Sequence, residues 1–159
     1  MNQLPAKRVA DSETEQVQFI MPSNLNAAGR VFGGQLAAWI DIVAGMVARR
    51  HSNRSVTTAA IDNLQFKEAV YGNSIIVLHG KITYVGKTSM EVRVDSFVEA
   101  LDGIRKLVNT AYLVMVALDD DDRPVPVPGL ICETFQEKAE FEAGKRRREL
   151  RRQRHDEAF

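Results

Sequence analysis

The sequence predicts an α+β fold in which an antiparallel sheet curves around one buried helix. Residues 33–48 are almost entirely apolar, as expected of a helix in a protein interior. Residues 88–98 alternate apolar and polar side chains with a period of two, which is typical of a half-buried antiparallel strand. Strand candidates follow the helix one after another with short connections, and such an order indicates an α+β protein.

The predicted elements follow in order along the chain. A short strand at residues 16–21 ends before a proline, and the helix begins near Gly33 after a stretch rich in turn formers. Arg49, Arg50 and His51 close the helix, because positive charge is favourable at its C-terminal end. Four more strands are predicted at residues 56–66, 74–85, 88–98 and 107–118, the last of them central in the sheet.

Side-chain patterns assign faces to two of these strands. One face of the strand at 74–85 carries Ile76, Leu78, Gly80, Ile82 and Tyr84. In the strand at 88–98, apolar and polar side chains alternate as Met90, Glu91, Val92, Arg93, Val94 and Asp95. We therefore expect a sheet whose apolar face meets the helix.

Composition excludes several classes of protein. The chain has 159 residues, enough for one domain, and its 21 basic and 21 acidic residues cancel, so charge predicts no general affinity for nucleic acid or membranes. Its single cysteine, Cys132, cannot form an intramolecular disulfide, and no histidine or cysteine cluster has metal-ligand spacing. The polar first 15 residues lack the apolar core of a signal peptide, so we expect a cytoplasmic protein without a metal.

The C-terminal segment, residues 133–155, is helical by propensity and rich in arginine. One interpretation is a solvated helix, and another is a docking surface for an anionic group such as a nucleotide phosphate. RNA binding is disfavoured because the segment lacks interleaved aromatic residues. We expect a single domain over residues 1–132 and a charged helical extension over residues 133–159.

Asp41 is the most informative residue, because it lies in the middle of the apolar helix. A carboxylate there needs a partner or a function. It is either a core aspartate bonded to an amide or hydroxyl, or a catalytic acid. The paired Gly33 and Gly34 at the helix start favour catalysis, because accessible N–H groups at the positive end of a helix suit a developing oxyanion.

The same helix predicts a dimer. One five-stranded sheet covers only part of an apolar helix, so a second subunit is expected to cover the rest. Gly33 and Asp41 are eight residues apart, about 12 Å along one helix, whereas an oxyanion donor lies about 3 Å from the reacting oxygen. Antiparallel helices across a dimer axis would bring the glycines of one subunit to Asp41 of the other.

The sequence resembles the hot-dog-fold acyl-CoA thioesterases, in the branch that contains the bacterial YciA-like enzymes and the cytosolic, brain-type acyl-CoA hydrolases. The resemblance runs in order over about residues 16–130. The matching segments are residues 26–34, 39–41, 56–59, Phe66, 84–92 and 116–118 with the Val-Pro elements that follow.

The resemblance implies a hot-dog fold and hydrolysis of acyl-CoA to free fatty acid and coenzyme A, a reaction of fatty acid metabolism. It assigns catalysis to Asp41 and Asn26, and coenzyme A binding to the segment with Lys87. It implies no cofactor, since coenzyme A is part of substrate and product, and a homodimer that assembles further into a hexamer, a trimer of dimers. Two residues depart from the family pattern: Lys87 stands where arginine is more usual, and Asn73 where aspartate is more usual.

Several roles stay open at this point. Asp41 would act as a general base on water or attack the thioester directly. Asn26 carries both a donor and an acceptor, so it could hold the water or the carbonyl, beside the backbone amides of Gly33 and Gly34. Substrate contacts are assigned to Thr57, Thr58, Phe66, Gly86, Lys87, Thr88 and Ser89. Thr57 and Thr58 could instead bond Asp41 or be ordinary strand residues, and residues 86–89 could be a simple hairpin turn.

Other candidates and functions carry less weight. His51 is expected to cap the helix, His79 to be exposed and Cys132 to be incidental. The main alternative function is a non-catalytic acyl-CoA-binding or sensing module on the same fold. A dehydratase on this fold would pair a histidine with the acid, and no histidine lies near Asp41 in the helix.

Overall fold

The computed structural model describes residues 4–158 and has the predicted α+β architecture. Five strands form one antiparallel sheet in the order β2-β4-β5-β6-β3. The elements are β1 (Lys7–Arg8), β2 (Thr14–Phe19), α1 (Gly33–Ser52), β3 (Ser55–Asp62), β4 (Ile75–Val85), β5 (Ser89–Glu99), β6 (Arg105–Leu118), β7 (Leu130–Ile131) and α2 (Phe135–Asp156).

Helix α1 packs against the concave face of the sheet and forms the centre of the core. Its buried side chains, among them Ile40, Val43 and Val47, contact the apolar row of β4 and the inner faces of β5 and β6. Asn53 ends the helix in a left-handed conformation, with φ of 56° and its N–H bonded to Arg49 O. The predicted start and end of the helix are confirmed.

One chain does not cover α1 on all sides, which is what the sequence predicts. Ile42 is 52% exposed, and Gly34 and Ala38 are exposed on the same side. Asp41 and Met46 are half-buried at the edge of this open face. The open face contains mostly small and apolar side chains, as expected of a surface that packs against another subunit.

The first sheet strand, β2, lies at Thr14–Phe19, two residues earlier than predicted. The other strands follow the prediction with three corrections. β3 ends at Asp62 rather than at residue 66, because Asn63 adopts a left-handed conformation with φ of 53°. β6 has neighbours on both sides, but β5 is the central strand. A bulge between Ile82 and Tyr84 shifts the register of β4, so Tyr84 leaves the apolar row and packs against α2 with its ring 4.7 Å from that of Phe141.

The polar face of β5 is covered by α2 and not by solvent. Met90, Val92 and Val94 point into the core as predicted, but Glu91 is also buried. Thr134 begins α2 with a capping box, in which its hydroxyl accepts from Glu137 N while the Glu137 carboxylate accepts from Thr134 N. The predicted C-terminal helix therefore exists, and it is docked on the sheet.

The N-terminal lead-in contains structure that its polar composition did not predict. β1 pairs in parallel with β7, so the segment before the sheet is joined to the segment before α2. Val9 and Ser12 are buried beside this small sheet. Within residues 4–158, no helix is long and apolar enough to cross a membrane.

Candidate active site

Asp41 lies on α1 where the helix passes the edge strand β3. The Thr58 hydroxyl donates a hydrogen bond to Asp41 Oδ1, with 2.5 Å between the oxygens. Asp41 Oδ2 has no protein partner within the described residues, and the side chain is only partly exposed. One carboxylate oxygen is thus fixed while the other stays available to a water or a substrate.

The pleat of β3 decides which of the two threonines contacts the acid. Thr58 points inward toward α1 and also lies 3.5 Å from Met115 Sδ. Thr57 points to the opposite, exposed face. Of the two alternatives left open by the sequence, Thr58 bonds Asp41 and Thr57 does not.

Asn26 lies in the turn that precedes α1. Its Oδ1 accepts hydrogen bonds from the backbone N–H groups of Ala28 and Arg30, at 3.0 and 3.2 Å. These two donors fix which end of the amide is oxygen, and they leave Nδ2 without a partner in residues 4–158. The turn therefore holds Asn26 so that it presents N–H donors to its surroundings.

The start of α1 presents two more donors. The N–H groups of Gln35 and Leu36 bond to Phe32 O, whereas those of Gly33 and Gly34 have no acceptor in the described part of the chain. The Phe66 ring covers Gly33, since a methyl group there would lie 3.2 Å from the ring. Phe66, Gly33 and Gly34 therefore share one end of the helix, next to the turn that holds Asn26.

These residues form two half-sites on each chain. Asp41 and Thr58 form one, and the Asn26 turn with the Gly33–Gly34 amides forms the other. About 12 Å of helix separates Gly33 from Asp41, too far for both to act on one carbonyl. Because both residues lie on one unbroken helix, a single chain does not bring its two half-sites to the same carbonyl.

A groove with a volume of about 1040 Å³ runs along α1 from Ile42 toward the end of the helix, and sequence reasoning did not predict it. Its lining combines apolar side chains, among them Ile42 and Met46, with the cations Arg49 and Arg54. The only signal in the sequence was the apolar stretch that leads into basic residues at the helix end.

Residues 86–89 lie in the hairpin between β4 and β5. Gly86 N bonds to Ser89 O at 2.8 Å, which closes the turn. The carbonyls of Lys87 and Thr88 accept from Val127 and Ala117. The N–H groups of Lys87 and Thr88 have no acceptor in residues 4–158, and the Lys87 side chain is exposed.

The remaining titratable candidates have structural partners. His51 is fully buried, its Nε2 lies 2.9 Å from Pro128 O, and burial lowers its pKa. It therefore ties α1 to the segment before α2 rather than capping the helix. His79 is partly exposed and lies 3.1 Å from Glu13. Burial raises the pKa of the Cys132 thiol, which makes it a poorer nucleophile, and residues 4–158 contain no cluster of metal-ligating side chains.

Comparison with known proteins identifies relatives of the whole fold. Residues 28–101 match the family model of the thioesterase superfamily. An acyl-CoA thioester hydrolase of Bacillus subtilis is 36% identical over 128 residues, which cover 80% of this chain and 74% of the relative. The cytosolic acyl coenzyme A thioester hydrolase of Rattus norvegicus is 33% identical over 144 residues, 87% of this chain but only 37% of that longer protein.

The similar solved structures are also acyl-CoA thioesterases or hydrolases. A hexameric acyl-CoA thioesterase in its apo form superposes with a TM-score of 0.91 at 36% identity, over 96% of this chain and 98% of its own. The acyl-CoA hydrolase of Staphylococcus aureus, bound to butyryl coenzyme A and coenzyme A, superposes with a TM-score of 0.91 at 31% identity, over 97% and 94%. Structures of that enzyme also exist with an asparagine, an aspartate or a threonine replaced by alanine. This chain belongs to the thioesterase superfamily, among the hot-dog-fold acyl-CoA thioester hydrolases.

Proposed function

We propose that this protein hydrolyses acyl-CoA thioesters to a free carboxylic acid and coenzyme A, in a site shared between two subunits. The observation that carries the proposal is the half-buried Asp41 carboxylate, one oxygen of which accepts from Thr58 while the other has no partner in residues 4–158. The relatives named above as acyl-CoA hydrolases support the same reaction.

The spacing of three residues supports the assignment of roles. The asparagine, aspartate and threonine replaced in the Staphylococcus aureus structures follow one another at intervals of 15 and 17 residues. Asn26, Asp41 and Thr58 stand at the same intervals in this chain. We therefore assign Asn26 and Asp41 to the reacting centre, with Thr58 orienting Asp41.

Hydrolysis requires a nucleophile and stabilisation of negative charge on the thioester carbonyl. Asp41 either removes a proton from the attacking water or attacks the carbonyl itself to form an anhydride that water then hydrolyses. The Nδ2 group of Asn26 and the amides of Gly33 and Gly34 donate hydrogen bonds to the carbonyl oxygen as its charge grows. Collapse of the intermediate breaks the carbon–sulfur bond, and the coenzyme A thiolate leaves and takes up a proton.

Two subunits are needed to assemble these groups. We propose that the open faces of two α1 helices pack antiparallel, so that Asp41 and Thr58 of one chain meet the Asn26 turn and helix start of the other. The hexameric relative supports further assembly of three such dimers. Phe66 then lies beside the thioester, and Thr57, on the exposed face of edge strand β3, lines the pantetheine channel.

Segments outside the reacting centre have roles in coenzyme A binding and in the domain organisation. We propose that Gly86, Lys87, Thr88 and Ser89 bind coenzyme A, that residues 1–132 form the thioesterase domain, and that residues 133–159 are an extension anchored to it. The reaction uses only side chains, backbone donors and water. The cytosolic relative supports a cytoplasmic location.

Release of free thiol tests the reaction. The purified protein is incubated with a panel of acyl-CoA substrates of different chain length, and thiol is detected with a chromogenic disulfide. We expect turnover of at least one member of the panel, with one thiol released per carboxylic acid. Tight binding of acyl-CoA without thiol release would support the alternative, a non-catalytic binding module.

A heterodimer tests the shared site. Asp41→Asn and Asn26→Ala subunits with different affinity tags are co-expressed, and the mixed dimer is isolated. In a shared site one of its two centres is intact, so we expect about half the activity of the unmodified dimer, whereas each variant alone is nearly inactive. An inactive mixed dimer of normal stability would place both residues in the site of a single subunit.

A further inference from the structure

The six arginines of α2 fall into two sets. Arg147, Arg151 and Arg154 pair with carboxylates of the sheet. Arg146, Arg148 and Arg152 have no carboxylate within 4.0 Å in the described part of the chain. Of these three, Arg146 and Arg152 are exposed, but Arg148 is half-buried. A partly buried guanidinium without a carboxylate partner is costly unless an anion binds it.

Arg148 lies over the hairpin between β4 and β5. A methyl group on Gly86 would lie 3.5 Å from Arg148 Cζ and 3.6 Å from its Nη2. It would also lie 2.9 Å from Ser89 Oγ, so glycine is what allows this close approach. Arg148 Nη1 is 3.5 Å from the Tyr84 hydroxyl, at the end of the preceding strand. The guanidinium is thus placed against the turn by contacts from two sides.

The hairpin adds three more groups that favour an anion. The N–H groups of Lys87 and Thr88 have no acceptor in residues 4–158. Successive free backbone N–H groups in a turn form an anion-binding concavity. Lys87 adds an ammonium group with no carboxylate within 4.0 Å in the same residues. Positively charged groups of both the turn and α2 therefore lie at the hairpin between β4 and β5.

We infer that Arg148 binds a phosphate of coenzyme A together with the Lys87–Thr88 turn, which extends the function proposed above. Arginine binds a phosphate through two parallel N–H donors, whereas lysine acts as a point charge. Lys87 stands where the family resemblance predicts arginine. Arg148, which lies on α2, supplies the two parallel N–H donors that Lys87 lacks. One arginine of the C-terminal extension thus has a role in substrate binding.

Two thioesters with the same acyl group test the inference. Butyryl-CoA carries the phosphates, and the butyryl thioester of N-acetylcysteamine has none. Arg148→Gln is expected to raise KM for butyryl-CoA about tenfold at unchanged kcat, because a charge-assisted contact is lost. Turnover of the phosphate-free thioester should not change. Arg152→Gln, an exposed arginine of the same helix, is the matched control and should leave both substrates unaffected.

Two further measurements separate binding from structure. Adding Lys87→Arg to Arg148→Gln should lower KM for butyryl-CoA again, since a guanidinium with two parallel N–H donors is then present at the turn. Calorimetric titration with coenzyme A alone should show the same weakening in Arg148→Gln, and it does not depend on turnover. An unchanged KM and an unchanged coenzyme A affinity would overturn the role of Arg148. An equal loss on both thioesters would also overturn it, whereas thiol release by the unmodified protein tests the reaction separately.

Discussion

The two helices of this protein pack on opposite faces of one sheet, and they differ in whether their charged side chains have partners of opposite charge. α1 lies on the concave face and carries one carboxylate, Asp41, with a neutral hydroxyl as its protein partner. α2 lies on the outer face, where Glu91 accepts hydrogen bonds from Arg147 and Arg151. Charge that is neutralised within the chain stabilises the fold, and charge left without a counterion is available for chemistry.

Loss of the Asp41 carboxylate should have the largest effect on activity. Asp41→Asn keeps the shape of the side chain but removes the base or nucleophile, so we expect kcat to fall about 10³-fold. Thiol release measures it. The unfolding midpoint in urea should stay close to that of the unmodified protein, because no ion pair is broken. Undiminished turnover by the folded variant would contradict the proposed mechanism.

Loss of the Glu91 carboxylate should act on stability instead. Its side chain is 1% exposed and lies 2.7 Å from Arg147 Nη2 and 3.1 Å from Arg151 Nη1. Glu91→Gln leaves two guanidinium groups underpaired, so we expect a loss of about 3 kcal/mol in the free energy of unfolding. Urea denaturation measures it, with Glu149→Gln, an exposed acid of α2, as the control. Equal midpoints for the two variants would show that the ion pairs do not hold α2.

Loss of the Thr58 hydroxyl should have a moderate effect on turnover. Thr58→Val removes the donor to Asp41 at nearly constant volume, so we expect kcat to fall about tenfold at unchanged KM. Thr58→Ser retains the hydroxyl and should restore most of the rate. If valine and serine behave alike, the hydrogen bond does not orient the acid.

A small pH effect should arise at the contact between α1 and the segment before α2. Burial lowers the pKa of His51 from its usual 6.5, so below that pH the unfolded chain takes up a proton that the folded chain resists. Stability is therefore complete above the unfolded pKa and falls as pH drops through it. We therefore expect the free energy of unfolding to fall as the pH drops from about 7.5 to 5.5. Urea denaturation of His51→Gln should show less of this loss, and an identical pH profile would exclude His51 as its source.

Local sequence patterns predicted most of the fold. The apolar stretch gave α1 with its basic C-terminal end, and the alternation around Val92 gave β5. The patterns failed where a single backbone conformation changed the register. Asn63 ends β3 early through its positive φ, and the bulge after Ile82 turns Tyr84 toward α2. A periodicity argument assumes unbroken register, so it cannot foresee either change.

The sequence by itself determined which chemical groups are present: a carboxylate in an apolar helix, donors at the helix start and a basic C-terminal segment. Only the tertiary structure decided their partners. It placed Thr58 rather than Thr57 on Asp41, left the Asn26 amide donors without a partner in residues 4–158, and divided the arginines of α2 into those that pair with carboxylates and those that do not. The physical reason is range: helix and strand periods follow from near neighbours in the chain, whereas a hydrogen bond or an ion pair depends on distances set by the packing of distant segments.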